Sequence, residues 1–294
     1  MAAIAGAAVL YSFFGVLIRA QAQSFSNSGQ VLARTAFALL IMLVVIAIKR
    51  NWRLPKSERL LIAAFGVVGT LYPLAITVST NHIKASNTII MLYAGGILSS
   101  LILGSVVFGE KMTRLKVASS LTALAGLLIF AYPFSFAGSA LFGVLMGLAS
   151  GFFDAICNSI RKYLRHTPRE TLLATSFLIT STLLISKLAP HPQSAMTNAL
   201  TLPVSAAVMV HGLLIIATGY LLIYGFKRVD VHVGTIVLAS ENFMSLVVNY
   251  FLLQESPTMR EFTGALIIFS ASILIALGGI RSHRKDPQII GNLE

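Results

Sequence analysis

The stretch Gly234–Leu253, GTIVLASENFMSLVVNYFLL, is twenty residues long and almost wholly apolar. That is the length a helix needs to cross the hydrocarbon core of a bilayer. Near its middle stand one acid, Glu241, and the amide of Asn242. A charged side chain at bilayer depth costs about 3 kcal/mol or more, so such an acid marks a site or a pathway more often than a structural accident.

The rest of the chain repeats the pattern. Of 294 residues, 56% are hydrophobic and only 11% charged, well below the roughly 25% charged of a soluble domain. Ten apolar segments follow one another, at about 2–20, 29–49, 59–80, 85–108, 114–132, 138–159, 170–189, 203–226, 230–253 and 259–280. The runs are continuous, without the strict alternation of a β-barrel. The fold class is therefore all-α and polytopic in a membrane, with no room for a soluble domain between segments. Most prolines stand at segment ends; Pro73 lies inside segment three and is expected to kink or loosen it. The first run lacks a basic leader and reads as a first span, not a cleaved signal. Cys157 is the only cysteine, so no intramolecular disulfide can form.

Charge sets the expected orientation. The net +12 would suggest nucleic acid in a soluble protein, but here the cations cluster in short loops. If the N-terminus is cytoplasmic, seventeen of the twenty-two Lys and Arg fall in inside connections, among them Lys111, Arg161, Lys162 and Arg165. Arg19, Arg34, Lys84, Lys187 and Arg260 remain outside. The positive-inside rule then places both termini in the cytoplasm, in keeping with an even number of spans in a cytoplasmic membrane.

Residues 94–131 match residues 239–276 at an offset of 145, through Ala94/Ala239, Ser100/Ser245, Leu101/Leu246, Glu110/Glu255 and Thr113/Thr258 among others. Ser12 and Phe14 match Ser150 and Phe152 at an offset of 138. A unit of five spans is odd, so its second copy enters the membrane upside down. Inverted repeats of this kind carry a substrate site near the midplane in many secondary transporters. The expected organisation is a first repeat over 1–133, an inverted repeat over 138–281 and a cytoplasmic tail over 282–294.

Three features together resemble a known family: VVFGEKMT (Val106–Thr113) before an apolar segment, its echo FLLQESPT (Phe251–Thr258), and Arg34 opening segment two. The chain is similar to the drug/metabolite transporter superfamily, within it to the EamA-type proteins with ten helices in two repeats. Gln254 stands where that family usually has glycine. The resemblance implies an alternating-access carrier, its cavity walled mainly by segments one, three, four, six, eight and nine, with five and ten outside.

The candidate substrate-binding residues are the polar groups at depth. Glu241 and Asn242 lead, Glu241 meeting either a substrate ammonium or a coupling proton. Asp154 and Asn158 lie at i and i+4 in segment six, near the cytoplasmic mouth, where the acid could instead pair with a basic loop. Tyr11 and Ser12, Tyr72, Tyr93, His211 and Tyr220 are possible walls, since a buried tyrosine seeks a hydrogen-bond partner. Gly96 falls opposite Glu241 by repeat symmetry, which leaves the acid in one half only. Gly143, Gly147 and Gly151 read as a packing stripe, and Arg34 as a structural anchor. No HExxH, P-loop, nucleophile elbow or Cys/His cluster is present, so neither an enzyme, a bound cofactor nor direct ATP coupling is expected. Few cations fall at depth, which argues against phosphorylated sugars. The expected partners are a small-molecule substrate, protons as a possible coupling ion and the lipid bilayer, and no nucleic acid. The favoured substrate is an amino acid or other amine-bearing metabolite, exported in preference to imported. The alternatives are an importer or exchanger of a nucleoside-like compound, and a channel or non-transporting membrane subunit.

Overall fold

The computed structural model describes residues 1–110, 112–131, 138–164 and 166–285. Lys111, Pro133, Arg165 and residues 286–294 of the expected tail lie outside them. The described chain is helical, with no β-strand. Its elements are α1 (Ala2–Tyr11), α2 (Phe14–Gln21), α3 (Asn27–Lys49), α4 (Arg59–His82), α5 (Ala85–Phe108) and α6 (Arg114–Ala131), then α7 (Ser139–Tyr163), α8 (Arg169–Leu188), α9 (Leu202–Phe226), α10 (Val231–Leu238), α11 (Glu241–Leu253) and α12 (Met259–Lys285). Counting α1–α2 and α10–α11 as one span each, nine of these are long and apolar enough to cross a membrane among the described residues. The apolar helix α6 is the tenth. In hydrocarbon the backbone must satisfy itself, which is why runs of this composition become helices.

Two segments that read as continuous are broken. Segment one parts at Ser12–Phe13 and segment nine at Ala239–Ser240. At both places a serine hydroxyl bonds back to the carbonyl three residues earlier: Ser12 Oγ to Val9 O at 2.6 Å and Ser240 Oγ to Val237 O at 2.7 Å. The backbone tightens there to i→i+3 bonds, such as Phe13 N to Leu10 O and Asn242 N to Ala239 O. Side-chain hydroxyls compete with the helical ladder in this way, and short 3₁₀ turns interrupt helices at functional places. By contrast α4 runs unbroken through Pro73, where the sequence led us to expect a kink or loosening. Thr77 Oγ1 donates to the Pro73 carbonyl at 2.6 Å, within the turn that follows.

The repeat shows in matching helix ends. Gly109 and Gln254, 145 residues apart, both close their helices in the left-handed region, at φ 60° and φ 55°. Glu110 N then donates to Gly104 O at 2.9 Å, and Glu255 N to Asn249 O at 3.3 Å, the same six-residue closure. The missing glycine therefore leaves the turn intact and puts a side chain where only glycine is free of strain. Gln254→Gly is expected to stabilise the protein by up to about 1 kcal/mol, read as a small rise in melting temperature in detergent; a fall would show that the bond from Gln254 Nε2 to Phe251 O at 3.1 Å outweighs the strain.

Packing follows small residues. The stripe Gly143, Gly147 and Gly151 on α7 meets α4 and α5. Helices α6 and α12 cross where Gly126 and Gly264 lie backbone to backbone, and they line neither central cavity. Broken helices α1–α2 and α10–α11 pack against each other in the middle of the bundle.

Candidate functional site

The break in segment nine makes Glu241 the first residue of α11. It is 5% exposed. The hydroxyl of Tyr93, on α5 of the other repeat, donates to its Oε2. Tyr93 is itself buried, so one hydrogen bond ties the two halves together at the acid in the middle of segment nine. Glu241 opens on a small cavity, with Tyr11, Tyr72, Thr80 and Leu92 among its walls. Tyr11 ends α1 at the other helix break, so the two discontinuities present their polar groups to one space.

A larger cavity adjoins it. Tyr11, Phe14, Ile18, Tyr72 and Ile76 line both and form the partition. His211 also lines the larger one; its Nδ1 lies 3.1 Å from Gln21 Nε2 and its ring centroid 4.5 Å from that of Phe14. The wall includes segments that the family resemblance leaves out: Arg34 and Thr35 from α3, and Leu173, Ser176, Phe177 and Thr180 from α8.

Two guanidinium groups face this cavity, where the sequence suggested few cations at depth. Arg161 is helical, not in a loop, because α7 continues to Tyr163. It donates to Asn158 Oδ1 and stands 4.0 Å from Asp154 Oδ1, while Asn158 Nδ2 donates to Asp154 Oδ2 at 2.8 Å. Asp154, Asn158 and Arg161, at i, i+4 and i+7, thus form one internal cluster, with the guanidinium 5.3 Å above the Phe65 ring. The acid pairs within its own helix instead of with a loop, and only Arg161 of the three lines the cavity. Arg34 is 2% exposed and bonds Thr77 Oγ1 at 2.8 Å and Pro73 O at 3.3 Å. It is inside the bundle, not in the connection to which a positive-inside count assigns it.

Other candidates stand apart from the central space. Ser12 is spent on its helix break, and Asn242 Nδ2 donates to Ala239 O at 2.9 Å. Gly96 meets the Thr235 methyl and the Gly151 backbone; the residue of α5 that faces Glu241 is Tyr93, one turn earlier. Repeat symmetry relates equivalent positions about an axis and does not put them in contact. Tyr220 lies at the cation-rich end, in an open pocket with Lys49, His166 and Glu170.

That end is held by ion pairs across the repeats. Glu110 accepts from Lys162 Nζ at 2.7 Å and from the backbone of Val231 at 2.9 Å, so the loop acid of the first repeat caps the start of α10 in the second. Asp230 beside it pairs with Lys116 at 2.8 Å and Lys162 at 3.4 Å. Although burial pushes the Asp230 carboxyl up, the two lysines hold it below its ordinary value. At the opposite end the equivalent acid, Glu255, has its Oε2 buried without a hydrogen-bond partner, as Glu110 has; Glu110 differs in the two bonds to its Oε1. Burial raises the pKa of Glu255, against the pull of Arg19 and Lys84. The two loop acids of the repeat are thus in different states.

The model of the EamA-like transporter family matches residues 1–132 and 141–277, one stretch for each repeat. A crystal structure of a protein, 17% identical in sequence, superposes with a TM-score of 0.76 over 95% of this chain and 96% of that one, a likeness of fold. No curated protein matches the sequence.

Proposed function

The chain belongs to the EamA-like transporter family, and on that premise, which makes it a multi-pass membrane transporter of the drug/metabolite transporter superfamily, we propose that it is a secondary carrier for a small amphipathic, amine-bearing metabolite. The site works by alternating access between the two repeats. Glu241 takes the substrate amine or the coupling proton, and the walls of the larger cavity take the apolar body. Both termini face the cytoplasm, and transport runs outward.

The observation that carries the reading is the Tyr93–Glu241 bond. It joins the repeats at a buried acid beside a helix break, next to two adjoining cavities inside the bundle. Broken helices at a repeat interface are where transporters of inverted design place their substrates. A buried acid with a single neutral donor keeps capacity for a cation. Glu110, which through its Oε1 latches Lys162 and the start of α10 across the repeats, suits a protein that exchanges which end is latched.

The test is transport by purified protein in liposomes, with labelled amine-bearing solutes offered in turn. Saturable flux that follows a solute or proton gradient, and is accelerated by unlabelled solute on the far side, is expected. Flux near the diffusion rate without saturation would indicate a channel. No flux for any solute offered would overturn the carrier reading.

A further inference from the structure

We propose that the larger cavity holds a fixed anion subsite at Arg34, and that the transported solute docks a carboxylate there. The inference rests on the carrier reading above and adds a headgroup to it.

Arg34 is a buried cation among the residues that line the cavity. A guanidinium offers five N–H donors in a planar fork. Here one arm is used: Nη2 donates to Thr77 Oγ1 and Pro73 O, which straps α3 to α4. The other arm, Nη1, is buried and has no hydrogen-bond partner. No acid of the described chain lies within ion-pair distance of Arg34. The two acids buried deepest in the bundle are engaged elsewhere, Asp154 with Asn158 and Arg161, and Glu241 with Tyr93. A cation left unpaired and half unbonded in a membrane interior is costly, and such residues mark the paths of ions and substrates.

The charge count narrows the ligand. Arg161, the second cation of the cavity, already stands beside Asp154, so one positive charge is left unmatched. One charge and one free face of a guanidinium fit a carboxylate, which binds arginine with two parallel hydrogen bonds. A phosphate dianion would ask for a second free cation. Phe14, Phe65, Phe177, Ile18 and Leu173 are among the other lining residues, which suits an apolar or aromatic body behind the headgroup. The strap to α4 accounts for Nη2 and leaves Nη1 unexplained; the subsite accounts for both.

The experiment uses the purified full-length protein and matched probes with one phenyl body: 3-phenylpropionate against its amide, and L-phenylalanine against phenethylamine. Binding is read from the shift in melting temperature with probe concentration. The carboxylates are expected to stabilise wild type, and the partners that lack the carboxylate to bind about 10- to 100-fold more weakly. Arg34→Gln should erase that preference. Thr77→Val, which removes one of the strap's two bonds and keeps the charge, should retain it. If Arg34→Gln fails to fold, Arg34→Lys, with its charge kept and its fork lost, should show the preference weakened. Equal binding of carboxylate and amide, no binding of either carboxylate, or a preference that survives Arg34→Gln would overturn the proposal. The liposome assay separates the two readings. Carboxylate binding at Arg34 without flux refutes the carrier and keeps the subsite, whereas flux indifferent to the carboxylate does the reverse.

Discussion

Glu241→Gln is expected to abolish gradient-driven transport while the purified protein keeps its yield and its melting temperature to within a few degrees. The substitution preserves size, and the amide oxygen can still accept the hydroxyl of Tyr93, so the bond between the repeats survives. What disappears is the capacity to carry a negative charge. Removing one member of a buried pair costs about 3–5 kcal/mol, more than about 100-fold in affinity, enough to take uptake below detection. Exchange of labelled for unlabelled solute across the membrane then divides the two roles of the acid. If Glu241 meets the substrate amine, exchange vanishes with net transport. If it carries the coupling proton, exchange persists, because no net proton movement is required. Wild-type rates with unchanged pH dependence in the variant would remove Glu241 from the mechanism.

That acid was legible because hydropathy makes it conspicuous: one carboxylate in twenty apolar residues has few innocent explanations. The ten spans were legible for the same reason, and the offset of 145 reappears as a shared helix closure at Gly109 and Gln254. The two helix breaks were hidden. They come from serine hydroxyls bonding back to carbonyls, and serine in a membrane helix does this without altering hydropathy or announcing itself as proline does. Arg161 was misplaced because a window of apolar character ends near Ile160, although Asp154, Asn158 and Arg161 share one helical face and that spacing was visible in the sequence. For Arg34 the sequence suggests only an anchoring role. Its bond to Thr77 on another helix, and the unbonded second arm, exist only once α3 and α4 are side by side. Nothing in the local sequence distinguishes Tyr93 from Tyr220, which lies at the cation-rich end.

The second large effect concerns Gly151. A methyl group there would meet the Leu92 carbonyl oxygen and lie 2.5 Å from the Gly96 nitrogen. Both are backbone atoms of α5, so no side chain can rotate away and the helices themselves must separate. Gly95, on the facing surface, meets the Leu148 carbonyl in the same manner. Overpacking of a fitted interior costs about 1–3 kcal/mol even where side chains can adjust, and a rigid backbone contact belongs at or above the upper end. Gly151→Ala is therefore expected to lower the melting temperature markedly and to abolish most transport, and Gly151→Leu to yield little folded protein. Gly96→Ala is the internal control. Its nearest neighbours would be the Thr235 methyl at 3.4 Å and the Gly151 oxygen at 3.6 Å, ordinary contacts, so stability and transport should stay close to wild type. The pair also bears on the site. Tyr93 lies on α5 between Leu92 and Gly95, so a displacement of α5 carries its hydroxyl away from Glu241, and Gly151→Ala should impair transport by more than its loss of stability explains. If Gly96→Ala instead removes activity from a stable protein, the space beside that glycine belongs to the substrate and not to the packing of α5 on α7.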